Sequence, residues 1–219
     1  RKRTLGFDGK CLVFAPRLRG FTSVKLDGIG DRDGADLLQH GNKAEVFPLP
    51  KIQEKEERRV FCGVPELDRV LGGGLVIGSL VLLSGDPGIG KSTLLLQALN
   101  GLAQRGYKVL YASGEESCTQ IKLRAERLGS LHMNILVTNE TNIHAILEAA
   151  KQTKPHVLVV DSIQTVYNPE LPGSPGNVSQ IRECANLIMQ TAKGQNISTF
   201  VIGHVTKDGA IAEIGRASC

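Results

Sequence analysis

Gly85-Asp86-Pro87-Gly88-Ile89-Gly90-Lys91-Ser92 satisfies the pattern G-x-x-x-x-G-K-[ST] at every constrained position, and Thr93 follows it. No other feature of this 219-residue chain limits its fold so tightly. Such a loop works where an apolar strand ends and a helix begins. Both flanks comply: Ser79 to Ser84 reads as a buried strand, and Ser92 to Gln104 as a helix apolar on most faces. Glycines at 85, 88 and 90 permit positive φ, so successive backbone N–H groups can turn inward onto phosphate oxygens. The helix opening at Ser92 adds its positive end. Lys91 has the charge and reach for β- and γ-phosphates, and the Ser92 hydroxyl suits Mg2+.

From Val60 onward, strand and helix patterns alternate. A short helix over Val64 to Leu71 stops at three glycines, and further strands are expected at Lys108–Ala112, Asn134–Val137, His156–Asp161 and Ser198–Gly203. Helices are expected over Ser117–Leu128, Thr141–Gln152 and from an Asn177 cap to about Lys193. Alternation of this kind predicts an α/β fold, a mostly parallel central sheet with helices on both faces. Residues 1–59 differ: they mix glycine and charge without a sustained period, and end in a linker-like stretch from Phe47 to Arg59. We therefore expect a poorly structured segment 1–59, a core 60–212 and a divergent tail 213–219.

A phosphate loop needs a metal-holding carboxylate. Val157-Leu158-Val159-Val160-Asp161 is an apolar strand ending in an acid, which makes Asp161 the candidate Mg2+ ligand, direct or through water. Hydrolysis also needs a group that orients or deprotonates water. Ser113-Gly114-Glu115-Glu116-Ser117 follows the strand expected beside the phosphate-loop strand, so both carboxylates should approach the γ-phosphate. One of the pair serves water and the other the start of the next helix; Glu115 is preferred for water. His204 closes the last strand, either as a γ-phosphate sensor or as a structural histidine, and Lys207 follows it. The other histidines show no metal-ligand spacing.

Charge and cysteine usage exclude several classes. Residues 1–60 hold 13 Lys and Arg against 9 Asp and Glu, whereas residues 61–219 hold 13 of each, so the expected core is no generic polyanion binder. Aromatics are 4% with no Trp, too few for a base-stacking platform. No apolar run approaches the ~18 residues of a membrane span. Five scattered cysteines form neither a zinc pattern nor a disulfide framework and suit a reducing compartment. A cytoplasmic setting follows, although seven basic residues against one acid in residues 1–26 also suit an organellar leader. The start at Arg1 suggests a fragment or processed product.

Across about residues 60–212 the sequence resembles the RadA (Sms) family of bacterial DNA-repair proteins, paralogues of the RecA recombinase. The resemblance rests on Gly63 to Gly74, the phosphate loop to Thr93, Ser113 to Ser117, Leu123 to Leu128, Val160 to Tyr167 and Gly203 to Lys207. It implies a RecA-like P-loop ATP hydrolase, stimulated by DNA, that uses ATP and Mg2+ on branched DNA intermediates of recombinational repair. It implies a homo-oligomeric ring and a RecA-type recombinase as partner. It also places Lys91, Glu115 and His204 among the catalytic residues, Glu115 as the water-polarising carboxylate and His204 as the γ-phosphate sensor. Residues 168–180 and the segment after Val205 fall where the RecA fold keeps DNA-facing loops. The family's four-cysteine zinc finger has no counterpart here, its Lys-Asn-Arg-Phe-Gly motif and Lon-protease-like domain are absent, and the match ends after Ala212. The expectation is an isolated or truncated ATPase core. The alternative is a KaiC-type nucleotide-gated switch that does not remodel DNA.

Overall fold

Each long apolar run becomes a strand whose alternate residues face opposite sides of one sheet. The computed structural model of the chain describes residues 6–7, 11–14, 48, 51 and 58–204. In chain order the elements are β1 (Gly6–Phe7), β2 (Cys11–Phe14), β3 (Arg59–Val60), α1 (Pro65–Val70), β4 (Leu75–Val76), β5 (Leu80–Gly85) and α2 (Lys91–Gln104). They continue with β6 (Val109–Ser113), α3 (Cys118–Arg127), β7 (Ile135–Thr138), α4 (Ile143–Thr153), β8 (Val157–Asp161), α5 (Val178–Gln195) and β9 (Ser198–His204). Residues Arg19–Glu56 separate as a second unit, in which only Pro48 and Lys51 are described.

The main sheet runs β1-β2-β5-β9-β8-β6-β7. Strands β5, β9, β8, β6 and β7 are parallel, and β2 pairs antiparallel with β5 at the other edge. The predicted α/β class and parallel sheet are found. Each strand and helix expected after Val64 is present, with its ends displaced by a residue or two. Pairing at Gly6–Phe7 and Cys11–Phe14 was not suggested by the aperiodic sequence there, nor was the two-residue β3–β4 pair. The expected leader, most of the linker and the tail lie outside the described residues.

The pleat sorts the core into two layers. Val81, Leu83, Val109, Tyr111, Val157, Val159, Phe200 and Ile202 pack with α1, α2 and α3. Their neighbours Leu82, Leu110, Ala112, Leu158, Val160 and Val201 pack with α4 and α5. One-residue register slips would exchange these layers, so register is fixed by burial on both faces.

Two close approaches hold the α1–α2 side together. Asp68, buried in α1, accepts hydrogen bonds from the backbone N–H of Cys62 (2.7 Å) and of Gly63 (3.2 Å). The Cys62 carbonyl then lies so near α2 that a Cβ on Gly101 would sit 2.0 Å from it. The long helices on the other elements are capped by their own side chains: Ser117 with Gln120 in a reciprocal box on α3, Asn142 on α4, and the predicted Asn177 on α5.

Candidate active site

Helix α2 is the exception to this capping, and it starts at the phosphate loop. Its N-cap is Gly90 in the left-handed region (φ 99°), with no side-chain cap and no acid in its first turn. The first-turn N–H groups are thus left for an anion from outside. Gly88 also has positive φ (79°), and a Cβ at Gly88 or Gly90 would meet nothing within 4 Å, so the loop's concave side is open. Lys91 is buried, its Nζ donating to the carbonyls of Gly85 and Asp86, each at 2.8 Å. That anchors an ammonium group against the loop's own backbone, where a phosphate would lie.

The parallel sheet brings distant residues to this point, because its strands all end on the same edge. Ser92 at the start of α2 donates to Asp161 Oδ2 at 2.8 Å, a contact across 69 residues. With its proton given to Asp161, the serine oxygen can offer a lone pair to a cation. Hydroxyl and carboxylate oxygens side by side are a hard donor set, of the kind Mg2+ takes along with water and phosphate oxygens. The residues present therefore fit a Mg2+–nucleotide. Asp161 has a second donor, the buried phenol of Tyr111 on the adjacent strand β6. Burial and the Asp161 charge push the Tyr111 pKa far up, so the phenol stays protonated and keeps donating.

Glu115 enters by a route the sequence reading misjudged. Strand β6 is not beside the phosphate-loop strand; β9 and β8 lie between them, since parallel neighbours are set by crossovers rather than by chain order. The segment after β6 reaches the site because Gly114 lets the backbone press against the segment after β8. A Cβ on Gly114 would stand 2.1 Å from Thr165 Oγ1, and Gly114 N–H donates to Asp161 O at 2.8 Å. Glu115 Oε1 then accepts from Ser162 Oγ at 2.6 Å and from His204 Nε2 at 2.7 Å. An ionised carboxylate has no proton to give, so His204 carries its hydrogen on Nε2. Burial would raise the Glu115 pKa, but the hydrogen bonds from Ser162 and His204 and the positive charges of His204 and Lys91 outweigh it and hold the carboxyl below its ordinary range. Glu115 is thus an anion at neutral pH.

Glu116 makes no hydrogen bond to the Glu115, Ser162 or His204 side chains among the described residues, although its charge is felt at Tyr111. It forms an ion pair with Arg124 on α3, while its N–H takes Ser113 Oγ at 3.0 Å. The structure therefore divides the acid pair, with Glu115 bonded to Ser162 and His204 and Glu116, ahead of the α3 N-cap, paired with Arg124 of that helix. His204 is held from two sides, since Gln164 Nε2 donates to its carbonyl at 3.3 Å. Among the described residues, His204 Nδ1 and Gln164 Oε1 are buried with no partner. Lys207 lies outside the described residues. Tyr111, Ser162 and Thr165 escaped the sequence reading. The signal for Tyr111 was a lone polar tip within an apolar strand; Ser162 and Thr165 lie in the Val160 to Tyr167 stretch that carries the resemblance, but nothing in the stretch gave either a role.

The AAA domain family matches residues 47–210. The chain is 53% identical over 172 residues to a protein of Listeria monocytogenes called DNA repair protein RadA, covering 78% of this chain and 38% of that one. It is 50% identical over 169 residues to the protein of the same name from Halalkalibacterium halodurans, covering 77% and 37%. Against the Synechocystis protein of that name it is 47% identical over 192 residues, covering 80% and 38%. The resemblance read from the motifs is borne out, and the chain spans well under half the length of these relatives.

Proposed function

The chain belongs to the AAA domain family of P-loop ATPases, and we propose that it binds ATP with Mg2+ and hydrolyses it in the service of recombinational DNA repair. The observation that carries this reading is the meeting of Ser92 with Asp161 at the mouth of a loop that Lys91 lines. In this reading Gly85, Asp86, Pro87, Gly88, Ile89, Gly90 and Thr93 shape the cradle, and Lys91 offers its charge to the outer phosphates. Ser92 and Asp161 hold Mg2+, and Tyr111 keeps the Asp161 carboxylate oriented. The bound metal supplies charge neutralisation on the phosphates. Glu115 orients and deprotonates water through the oxygen that Ser162 and His204 do not hold. His204, at the end of the strand next to the phosphate loop, registers the terminal phosphate. Supporting the last role is the register of β5 with β9, which sets Gly85 opposite His204.

The relatives' name brings DNA repair into the proposal; the resemblance carried by the motifs extends it to hydrolysis stimulated by DNA, action on branched intermediates, assembly as a homo-oligomeric ring, cooperation with a RecA-type recombinase and a cytoplasmic setting. Residues 60–212 form the ATPase core in this reading, with Cys11–Phe14 of the preceding segment 1–59 added at the sheet edge beside β5, and 213–219 a tail. Residues 168–180, expected to face DNA, contain Glu170 and no Lys or Arg, so their contribution is to shape rather than charge. No helix among the described residues is long and apolar enough to cross a membrane. The KaiC-type switch gains no support from relatives that are named for DNA repair.

Lys91→Ala tests the core of the proposal. The variant keeps its helix content and loses ATP hydrolysis, because the phosphate-facing charge is gone. Single-stranded DNA added to the parent chain raises its turnover. Hydrolysis undiminished in Lys91→Ala would remove the loop from the account, and indifference of the parent to DNA would return the switch.

A further inference from the structure

We infer that Ser162 is a positioning residue for hydrolysis: it fixes one oxygen of the Glu115 carboxylate so that the other faces the water to be activated. The inference rests on the reading of Glu115 given above. Its ground is the division of labour at that carboxylate. Both hydrogen bonds to Glu115, from Ser162 Oγ at 2.6 Å and His204 Nε2 at 2.7 Å, converge on Oε1. One oxygen is doubly anchored, and among the described residues nothing holds Oε2, which is left to the reaction.

The two anchors differ in rigidity. Ser162 is fully buried. Its carbonyl accepts from Thr165 Oγ1 at 2.8 Å, and the next residue, Ile163, donates its N–H to Ile202 O of β9 at 2.9 Å. The serine is therefore fixed to the sheet. His204 is partly exposed, with 27% of its side chain accessible. A histidine that turns toward a phosphate gives up Glu115, and Ser162 is what keeps the carboxylate aimed once it does. The same contact joins the water-activating group to the residue next to the metal-holding Asp161, so the two halves of the chemistry share one support. A carboxylate displaced by about 1 Å can cost on the order of 100-fold in rate, while leaving ground-state binding alone.

The test is a mutant cycle on the whole chain, reading nucleotide affinity and single-turnover hydrolysis with DNA present. Ser162→Ala is expected to bind ATP as the parent does and to hydrolyse it roughly 10- to 100-fold more slowly. Added to Glu115→Gln, it is expected to slow hydrolysis no further, since the group it positions is already disabled. Parent-like hydrolysis in Ser162→Ala, alongside a slow Glu115→Gln, overturns the role of Ser162 and leaves that of Glu115 standing. A parallel loss of nucleotide affinity, or full additivity in the double variant, marks Ser162 as merely structural and also overturns it. Parent-like hydrolysis in Glu115→Gln removes the underlying reading of the carboxylate.

Discussion

Gly101→Ala and Gly194→Ala are the same chemical change in two helices, and the packing around them predicts opposite signs. Helix propensity favours Ala over Gly by about 1 kcal/mol in a helix interior, so propensity alone makes both substitutions stabilising. At Gly194 nothing lies within 4 Å of the added Cβ, and propensity acts unopposed apart from the nearness of the helix end. At Gly101 the added carbon would stand 2.0 Å from Cys62 O and 2.9 Å from its carbonyl carbon. The obstacle is backbone, and Asp68 pins it through the N–H groups of Cys62 and Gly63. Relief requires α2 to shift, or the Asp68 hydrogen bonds to stretch. Overpacking of this kind costs about 1–3 kcal/mol, more against backbone that cannot yield. The 2.0 Å approach to pinned backbone puts the cost at the top of that range, about 3 kcal/mol. The propensity gain of about 1 kcal/mol leaves a net loss of about 2 kcal/mol for Gly101→Ala, lowering Tm by about 4–8 °C. Gly194→Ala gains about 0.5–1 kcal/mol. Urea unfolding followed by circular dichroism measures both, with unchanged m-values showing that stability alone has moved. A stabilised Gly101→Ala would refute the close approach of Cys62 to α2.

Four further outcomes follow from the site and its surroundings. Tyr111→Phe deletes a buried donor to the Asp161 carboxylate; it should lower stability by about 1–3 kcal/mol and raise the half-saturating Mg2+ for ATPase roughly 10-fold. Glu115→Gln should bind ATP normally and hydrolyse it about 100- to 10,000-fold more slowly, whereas Glu116→Gln, which loses its Arg124 ion pair, should change hydrolysis little; single-turnover assays separate them. The Glu115 carboxyl, lowered from its ordinary 4.5 on folding, contributes stability above that pH and loses it as pH falls through the lowered value. Acid titration of unfolding should therefore be flatter below pH 4.5 in Glu115→Gln than in the parent. Burial, with nearby Asp68 and Glu183, pushes the thiols of Cys62 to about 12 and of Cys184 to about 11, so peptide mapping after brief alkylation should find Cys118 labelled before either.

How much of this was legible depended on whether a feature was local. The phosphate loop could be read because its residues are contiguous and their spacing is dictated by one anion. Asp161 could be read because an apolar run ending in an acid is a local event, and the Asn177 cap for the same reason. The order of strands could not. Chain order suggested that the strand before Glu115 neighbours the phosphate-loop strand, but β9, the last strand, takes that place. A parallel neighbour is chosen by a helical crossover, and no residue in either strand announces it. Ser162 and Tyr111 stayed hidden because their partners lie 47 and 50 residues away, and neither side chain carries a charge at neutral pH. The pairs β1–β2 and β3–β4 are too short to show a period of two.

Gln180 deserves its burial. From the first turn of α5 its amide oxygen accepts from Asn168 N at 2.8 Å, and its two Nε2 hydrogens are shared among the carbonyls of Asn168, Leu171 and Gly173 at 3.0 to 3.2 Å. Those bonds fasten the loop after β8 to the helix, so the loop has little freedom to swing by itself. Eighteen residues make α5 about 27 Å long. At its far end Asn196 lies so close to Gly78 that a Cβ there would stand 2.5 Å from Asn196 Oδ1. Gly78 precedes the strand that carries the phosphate loop, and it donates to Ser198 at the start of β9. Anything that tilts the loop must carry the helix along as a lever, and its opposite tip presses on the root of the two strands that end at Gly85 and His204.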